Sequence, residues 1–447
     1  MDFISELDEI IILGTQGHIE SSILGMDTEA FYEFTETLYL VTRHYFNINP
    51  HKNENFSFIA NTSLSGGRHP CSSAECRINK ILQVASFSAL YSDEVYIQNP
   101  FEKIIIDGVE NVNSMSKQDV IAGIYNYLYL KPLIKRGIIK YALNKVALCQ
   151  EHGLSLATPL SEELIKKEKE LYELLHQELI HKCTVSFDIT ADGTPFFEIK
   201  GPDSFVEHGV MYFHLMEPIG DYIKSLFKKT LPYRFSMKEV AQEKILDLII
   251  SPIIEDLSEQ EWHTKFYGTS YLCDNQQQIK IATSTTPTIY KVNSTSFNSS
   301  IEHYLPTIQS KNLENILKIR EKEEESFKVY RDKVNNLIRK STYREQKEIA
   351  EIFRDQILPE INIIEKKVSD WKKKTKAGIR DKIIIGSGAV SFGLYAGILP
   401  NDLSHLLAAV GGGAAIISTA VDYTKTIRGK SEARSNDFYF LWQMKNK

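Results

Sequence analysis

The sequence predicts a mixed α+β protein in three parts: an N-terminal α/β domain (1–150), a middle α+β unit built on a β-hairpin (151–310), and a C-terminal domain (311–447) of long helices followed by an apolar helical hairpin (383–420). Three observations carry that reading. Strand-like and helix-like periods alternate from Met1 to Cys149. Asp192-Gly193 separates two alternating runs, Val185–Thr190 and Pro195–Gly201, the signature of a tight hairpin. Near the C-terminus, two apolar runs without Lys, Arg or Glu flank the turn Pro400-Asn401-Asp402.

In the N-terminal domain, Phe56–Ala60 predicts a strand. Apolar Ile78, Ile81, Leu82, Ala85, Phe87 and Leu90 predict a helix from Ser72 to Tyr91. Glu94–Ile97 predicts a short strand that stops at Asn99-Pro100. Ser116, whose hydroxyl can accept an orphan backbone N–H, is expected to cap a helix reaching Leu133. Gly137 ends that helix, and Ile138–Ala142 returns to strand. The loop Ser65-Gly66-Gly67-Arg68 between the first strand and its helix is a candidate phosphate cradle, because such loops present N–H groups at a positive helix end. It matches neither a P-loop nor a full dinucleotide fingerprint, so a plain tight turn is the competing reading. His69, Cys71, Cys76, Cys149 and His152 invite a zinc site, but Cys71 and Cys76 flank a helix start and no loop context enforces one; no metal is expected there.

The middle unit opens with a charged amphipathic helix, Ser161–His181, that leads into the hairpin. Asp188 and Glu198-Ile199-Lys200 resemble the D…(D/E)-x-K pattern of metal-dependent nucleases, which implies two carboxylates on Mg²⁺ or Mn²⁺ and a lysine that assists the attacking water. Register tests this, because a slip of one residue swaps the faces. A two-residue turn puts Asp188 opposite Phe197 and on the other face from Glu198. A three-residue loop is expected to pair Phe187 with Ile199 and Ile189 with Phe197, setting Asp188 beside Glu198 and Ser186 beside Lys200. The apolar match favours the second; a hairpin with one wet face is its structural alternative. Helices are expected over Met237–Glu255 and Ser258–Phe266, and the Ser/Thr/Asn-rich run Thr283–Ser300 marks a boundary.

From Asn312 to Trp371 the chain reads as charged helix, with apolar stripes from Leu313 to Ile338 and from Ile349 to Trp371 and a kink at Pro359. The helices 312–371 are the expected docking surface for a protein partner. Each apolar run beyond them reaches ~17–18 residues, the lower limit of a bilayer span. Lys372, Lys373, Lys374, Lys376, Arg380 and Lys382 precede the pair, and Lys425, Arg428 and Lys430 follow it, as in a two-span hairpin with both ends in the cytoplasm. Gly386, Gly393, Gly397, Gly411, Gly412 and Gly413 would let two such helices pack closely, in lipid or equally in a protein core.

At 447 residues the chain is long enough for two or three domains, and its net charge of −6 argues against a surface that coats nucleic acid. Nucleic acid remains a partner only on the nuclease reading. Five scattered cysteines suit a reducing compartment. The acidic start, MDFISELDEIIILG, lacks the positive region of a signal peptide. A cytoplasmic protein, peripheral to or anchored in the inner membrane through lipid contact, is the expectation.

The segments FSALYSDEVYIQNPF, LKPLIKRGIIKY and DFYFLWQMK resemble uncharacterised bacterial proteins of mobile or defence-associated loci. The resemblance covers the two ends of the chain, carries no assigned active site, and implies a role in anti-phage defence. The function expected is that of a defence-type effector or accessory protein, with a C-terminal hairpin that contacts or enters the membrane under control of the α/β portion. That function needs no catalysis and no cofactor. The alternatives are the nuclease of Asp188, Glu198 and Lys200, and a soluble adaptor in a multi-protein complex.

Overall fold

The computed structural model describes residues 3–45, 57–68, 74–142, 168–202, 206, 209–215, 220–267, 269–274, 307–309, 313, 317, 321, 384–386 and 393–395. It is a mixed α/β structure. Three helices precede the first strand: α1 (Phe3–Thr15), α2 (Ile19–Gly25) and α3 (Thr28–Tyr45). The sequence pattern over 1–45 does not single out these three helices. Helix α1 buries Phe3, Ile4, Leu7, Ile11 and Thr15, a stripe at three- and four-residue steps that faces one way from an α-helix.

The main sheet starts at β1 (Ser57–Ala60), followed by α4 (Ala74–Tyr91), β2 (Glu94–Gln98), α5 (Glu102–Asp107), α6 (Ser114–Lys135) and β3 (Ile139–Ala142). Apart from α5, for which no helix was expected, these positions fall within a few residues of the predicted ones. One detail differs: Asn113, not Ser116, caps α6. Asn113 Oδ1 accepts from Met115 N and Ser116 N, and Ser116 Oγ accepts from Asn113 N. The chain turns helical at Ser114, so Ser116 falls at the third helical position and closes a capping box.

After α7 (168–180) come β4 (Thr184–Ile189), β5 (Pro195–Lys200), β6 (Val210–His214), α8 (Asp221–Leu226), β7 (Tyr233–Arg234), α9 (Met237–Gln242), α10 (Asp247–Tyr267) and β8 (Ser270–Cys273). Helix α10 is continuous where a break near 256 was expected. The interruption comes earlier, at residues 243–246, where Lys244 takes a positive φ of 50° that no α-helix accommodates. Strands β9 (Thr307–Gln309), β10 (Ile384–Gly386) and β11 (Gly393–Tyr395) complete the described elements.

The main sheet has the order β11-β8-β1-β2-β3, with β8, β1, β2 and β3 parallel and β11 antiparallel at the edge. Strand β8, from the segment read as a second unit, is therefore an inner strand of the sheet that begins with β1. All four residues of β1 are buried, because both faces of the sheet are covered. Phe58 and Ala60 face a core built with α1 to α6, while Ile59 faces a second core with α7, α10 and the other sheet. That other sheet is antiparallel, of order β6-β5-β4-β7, and buries Val185, Phe187, Phe197 and Ile199 on one face.

The hairpin register departs from expectation. Phe187 pairs with Phe197, Ser186 with Glu198 and Asp188 with Phe196. The polar residues do share one face, but the pairing lies two residues from the one proposed. Thr190 and Thr194 close the turn through Thr190 N to Thr194 O at 2.9 Å, and this pairing fixes the register.

The apolar stretch also differs where it is described. Gly386 and Gly393 lie in strands, not helix: β10 pairs with β9, and β11 pairs with β8. Consecutive β-branched isoleucines favour extended backbone, and glycine gives a helix no support. Gly397, Gly411, Gly412 and Gly413 lie outside the described residues, as does most of the segment 312–371 that was expected to be helical. Leu313 and Leu317, at its start, are buried in the first core. Among the described residues, no helix is long and apolar enough to cross a membrane.

Phe187 is fully buried and meets the rings of Phe197 and Phe227 edge-on, with centroids 6.0 and 5.7 Å away. Phe187→Ala is expected to cost about 3–5 kcal/mol in urea denaturation, since truncating a core aromatic leaves a cavity. Ile12→Ser, at a position 61% exposed, should stay within about 0.5 kcal/mol.

Candidate functional site at the carboxyl ends of the parallel strands

The order of the parallel strands sets where a crevice can form. From β1 the chain steps to β2 and β3 on one side, with α4 and α6 in the first core; β8 lies on the other side of β1, with α10 in the second core. Right-handed crossovers in opposite directions require helices on opposite faces. The carboxyl ends of β1 and β8 therefore lie at the switch point of the strand order, the place where open α/β sheets bind ligands in a crevice.

Polar side chains converge there. Asn61, the first residue after β1, donates through Nδ2 to Asp274 Oδ1 at 2.9 Å and to Cys273 Sγ at 3.4 Å, at the end of β8. Ser63 Oγ donates to Asp274 Oδ2 at 3.0 Å, and Lys80 of α4 reaches the same oxygen at 2.5 Å. Thr62 donates twice, from N and Oγ1, to Asp256 Oδ1 on α10 at 3.0 and 2.9 Å. Gln98, at the end of β2, donates to Thr62 Oγ1 at 2.8 Å and to Glu259 Oε2 at 2.7 Å. Asp256 is 5% exposed and the Asp274 side chain 7%. Burying charge costs several kcal/mol per ion before partners compensate, so the partners of the two buried carboxylates, Asp256 and Asp274, are needed to hold them here.

Helix α10 presents Asp256, Glu259, His263 and Tyr267 at three- and four-residue steps, one stripe of one face. Tyr267 stacks on Tyr96 of β2 at 4.2 Å, and His263 stacks on Tyr267 at 6.1 Å. Burial, with the Glu94 carboxylate alongside, pushes the Tyr96 phenol well above its ordinary range. The sequence reading missed this stripe. Its signal was present as four polar or aromatic residues on a helical period, but that pattern is equally that of a solvated helix face.

The phosphate-cradle residues sit at this site in another role. The N–H groups of Ser65, Gly66 and Gly67 already donate to the carbonyls of Asn61, Ser63 and Thr62 at 2.8–2.9 Å. Gly66 has φ of +84°, and a Cβ there would lie 2.3 Å from Asn126 Nδ2. A Cβ on Gly67 would lie 2.7 Å from the Thr62 carbonyl oxygen. These glycines serve a tight, packed turn, and their amides are spent within it. Arg68 pairs with Asp119 of α6 at 2.7 Å; Arg77 joins the same carboxylate at 3.0 Å and donates to Gly66 O. The arginines thus brace the turn against α4 and α6.

The hairpin residues lie apart from this crevice, on the outer face of the antiparallel sheet. Glu198 pairs with Lys200 at 2.6 Å and accepts from Ser186 Oγ at 3.3 Å. Asp188 Oδ1 instead accepts from Ile189 N at 2.8 Å. Among the described residues, no group of three or more His, Cys, Asp and Glu side chains is arranged to hold a metal. His69, Cys71, Cys149 and His152 of the zinc constellation lie outside the described residues. No protein-family model matches the chain, and neither a curated protein nor a solved structure matches it.

The Lys200 hydrogen bond holds the Glu198 carboxyl below its ordinary range, with Tyr212 and Ser186 adding to the effect. Its stabilising contribution is therefore present above the ordinary glutamate pKa and is lost as pH falls through the lowered one. A carbon-detected titration should find the Glu198 midpoint below the ordinary glutamate value, and Lys200→Met should move it up. An unmoved midpoint would mean the pair does not persist in solution.

Proposed function

We propose that the chain is a small-molecule-binding α/β protein, and that the crevice at the carboxyl ends of β1, β2 and β8 takes a neutral, hydroxyl-bearing ligand of the nucleoside or sugar class. One observation carries this reading: Asp256, Glu259 and Asp274 converge there with Asn61, Thr62, Ser63 and Gln98, at the point where the strand order reverses. Carboxylates and amides recognise vicinal hydroxyls through paired acceptors and donors. Lys80 is already paired with Asp274 and the turn amides are engaged, which disfavours a bare phosphate. The role is binding or sensing; the reading assigns no bond-breaking step.

A second proposal is that the C-terminal apolar stretch acts as a membrane-contacting effector coupled to the crevice, and one contact favours the coupling. Gly393 of β11 pairs with Cys273, and the next residue, Asp274, belongs to the polar crevice. Ligand occupancy would then bear on the strand that holds part of the stretch. On this proposal, deleting 383–420 removes the protein from alkali-washed membranes, and its persistence there would end the effector reading.

Thermal unfolding of the full chain against nucleosides, simple sugars and inorganic phosphate tests the binding proposal. A ligand at a hundred times its Kd should stabilise by about 2.7 kcal/mol. Stabilisation by a nucleoside or sugar, lost in Glu259→Gln, is the expected result. Stabilisation by phosphate alone, or by nothing in the set, would overturn it.

A further inference from the structure

The outer face of the antiparallel sheet breaks the usual rule for a sheet with one wet side. Strand alternation should leave polar residues outside once Val185, Phe187, Phe197 and Ile199 are buried. Three rings stand among the polar residues there. Phe196, Tyr212 and His214 share the outer face, with Phe196 5.8 Å from Tyr212 and 6.0 Å from His214. Tyr212 is 54% exposed and His214 is also exposed.

The pairing places these groups on a grid. One row across the strands runs Arg234, Ser186, Glu198, Tyr212; the next runs Asp188, Phe196, His214. Lys200 lies one row further, opposite Val210. Neighbouring strands lie about 4.8 Å apart, so Arg234 and Tyr212 are ~14 Å from each other across the sheet. The two acidic groups are engaged: Lys200 pairs with Glu198, and the Ile189 amide donates to Asp188. Arg234 is exposed and makes no ion pair with the described residues.

We propose that this face binds single-stranded nucleic acid, with two or three unpaired bases stacked on Phe196, Tyr212 and His214 and the backbone phosphates directed to Arg234. Exposed rings on an antiparallel sheet serve bases because every base has a stacking face, and the contact tolerates sequence. A duplex keeps its bases paired and cannot use the rings. The net charge of −6 fits a local patch and not a basic coat. The proposal is independent of the crevice between β1 and β8.

Fluorescence anisotropy with labelled single strands of about 12 nucleotides, in the usual range of such sites, tests it in EDTA at low salt. The full chain should bind single strands better than the matching duplex. Tyr212→Ala and Phe196→Ala should each weaken binding about 5–100-fold, and Arg234→Ala should lower the salt slope by about one. Tyr212 and Arg234 are exposed and Phe196 is half-buried, and an unchanged circular dichroism spectrum would establish that the variants fold. No binding, equal binding of duplex, or unchanged affinity in the Phe196→Ala/Tyr212→Ala double variant would overturn the proposal. So would binding that requires a divalent ion, because it would place the nucleic acid on Asp188 and Glu198 instead.

Discussion

The side chain of Asn61 joins two strands that are distant in sequence, and the main sheet depends on that junction. Its backbone N–H donates to Leu272 O at 2.9 Å, extending the β1–β8 ladder by one bond. Its Nδ2 reaches Cys273 and Asp274, while its Oδ1 accepts from Leu64 N at 3.0 Å and so starts the turn toward α4. One amide therefore sets where β1 ends, where β8 ends and which way the following loop goes. Asparagine suits the place because it offers donor and acceptor at once; aspartate would lose the donors and leucine both.

From that junction the two cores follow. Burial of Phe58 and Ala60 on one side of β1 and Ile59 on the other ties α1 to α6 to one face of the sheet and α7, α10 and the antiparallel sheet to the opposite one. Helix α10 belongs to both regions. Its first half buries Ile249, Ile250 and Ile253 in the second core, while its second half lays Asp256, Glu259, His263 and Tyr267 along the parallel strands. Movement of α10 would thus be felt at both sheets.

The elements legible in sequence are those whose signal is local. Strand β1, helix α4, strands β2 and β3 and the Asp192-Gly193 hairpin announce themselves through periodicity and turn chemistry. What is illegible depends on distant partners. Thr62 meets Asp256 across 194 residues, and Asn61 meets Asp274 across 213. Neither pairing leaves a trace in spacing, so the crevice emerges only when β8 takes its place beside β1. The Ser65–Arg68 loop taught the converse lesson: its glycines were visible, but whether their amides face a ligand or the turn's own carbonyls is decided by the closed geometry. At Asp188 and Glu198 alternation found the shared face, and the turn then moved the partners by two positions.

The two polar regions differ in what they cost the fold, and that difference bears on their meaning. On the outer sheet face, Lys200 is 57% exposed, so water screens its bond to Glu198 and the pair is close to neutral for stability. In the crevice, Asp256 and Asp274 are withdrawn from water, and replacing such groups by apolar ones of similar shape is often neutral or favourable to a fold. A chain selected for stability alone has no need to hold carboxylates, amides and hydroxyls together at the end of a sheet whose strands are otherwise lined with Phe, Ile and Val. Local departures from good packing gather where a protein does its work. By that argument the crevice, at the one place where the strand order reverses and the helices part, outranks the more familiar acidic pattern of the hairpin.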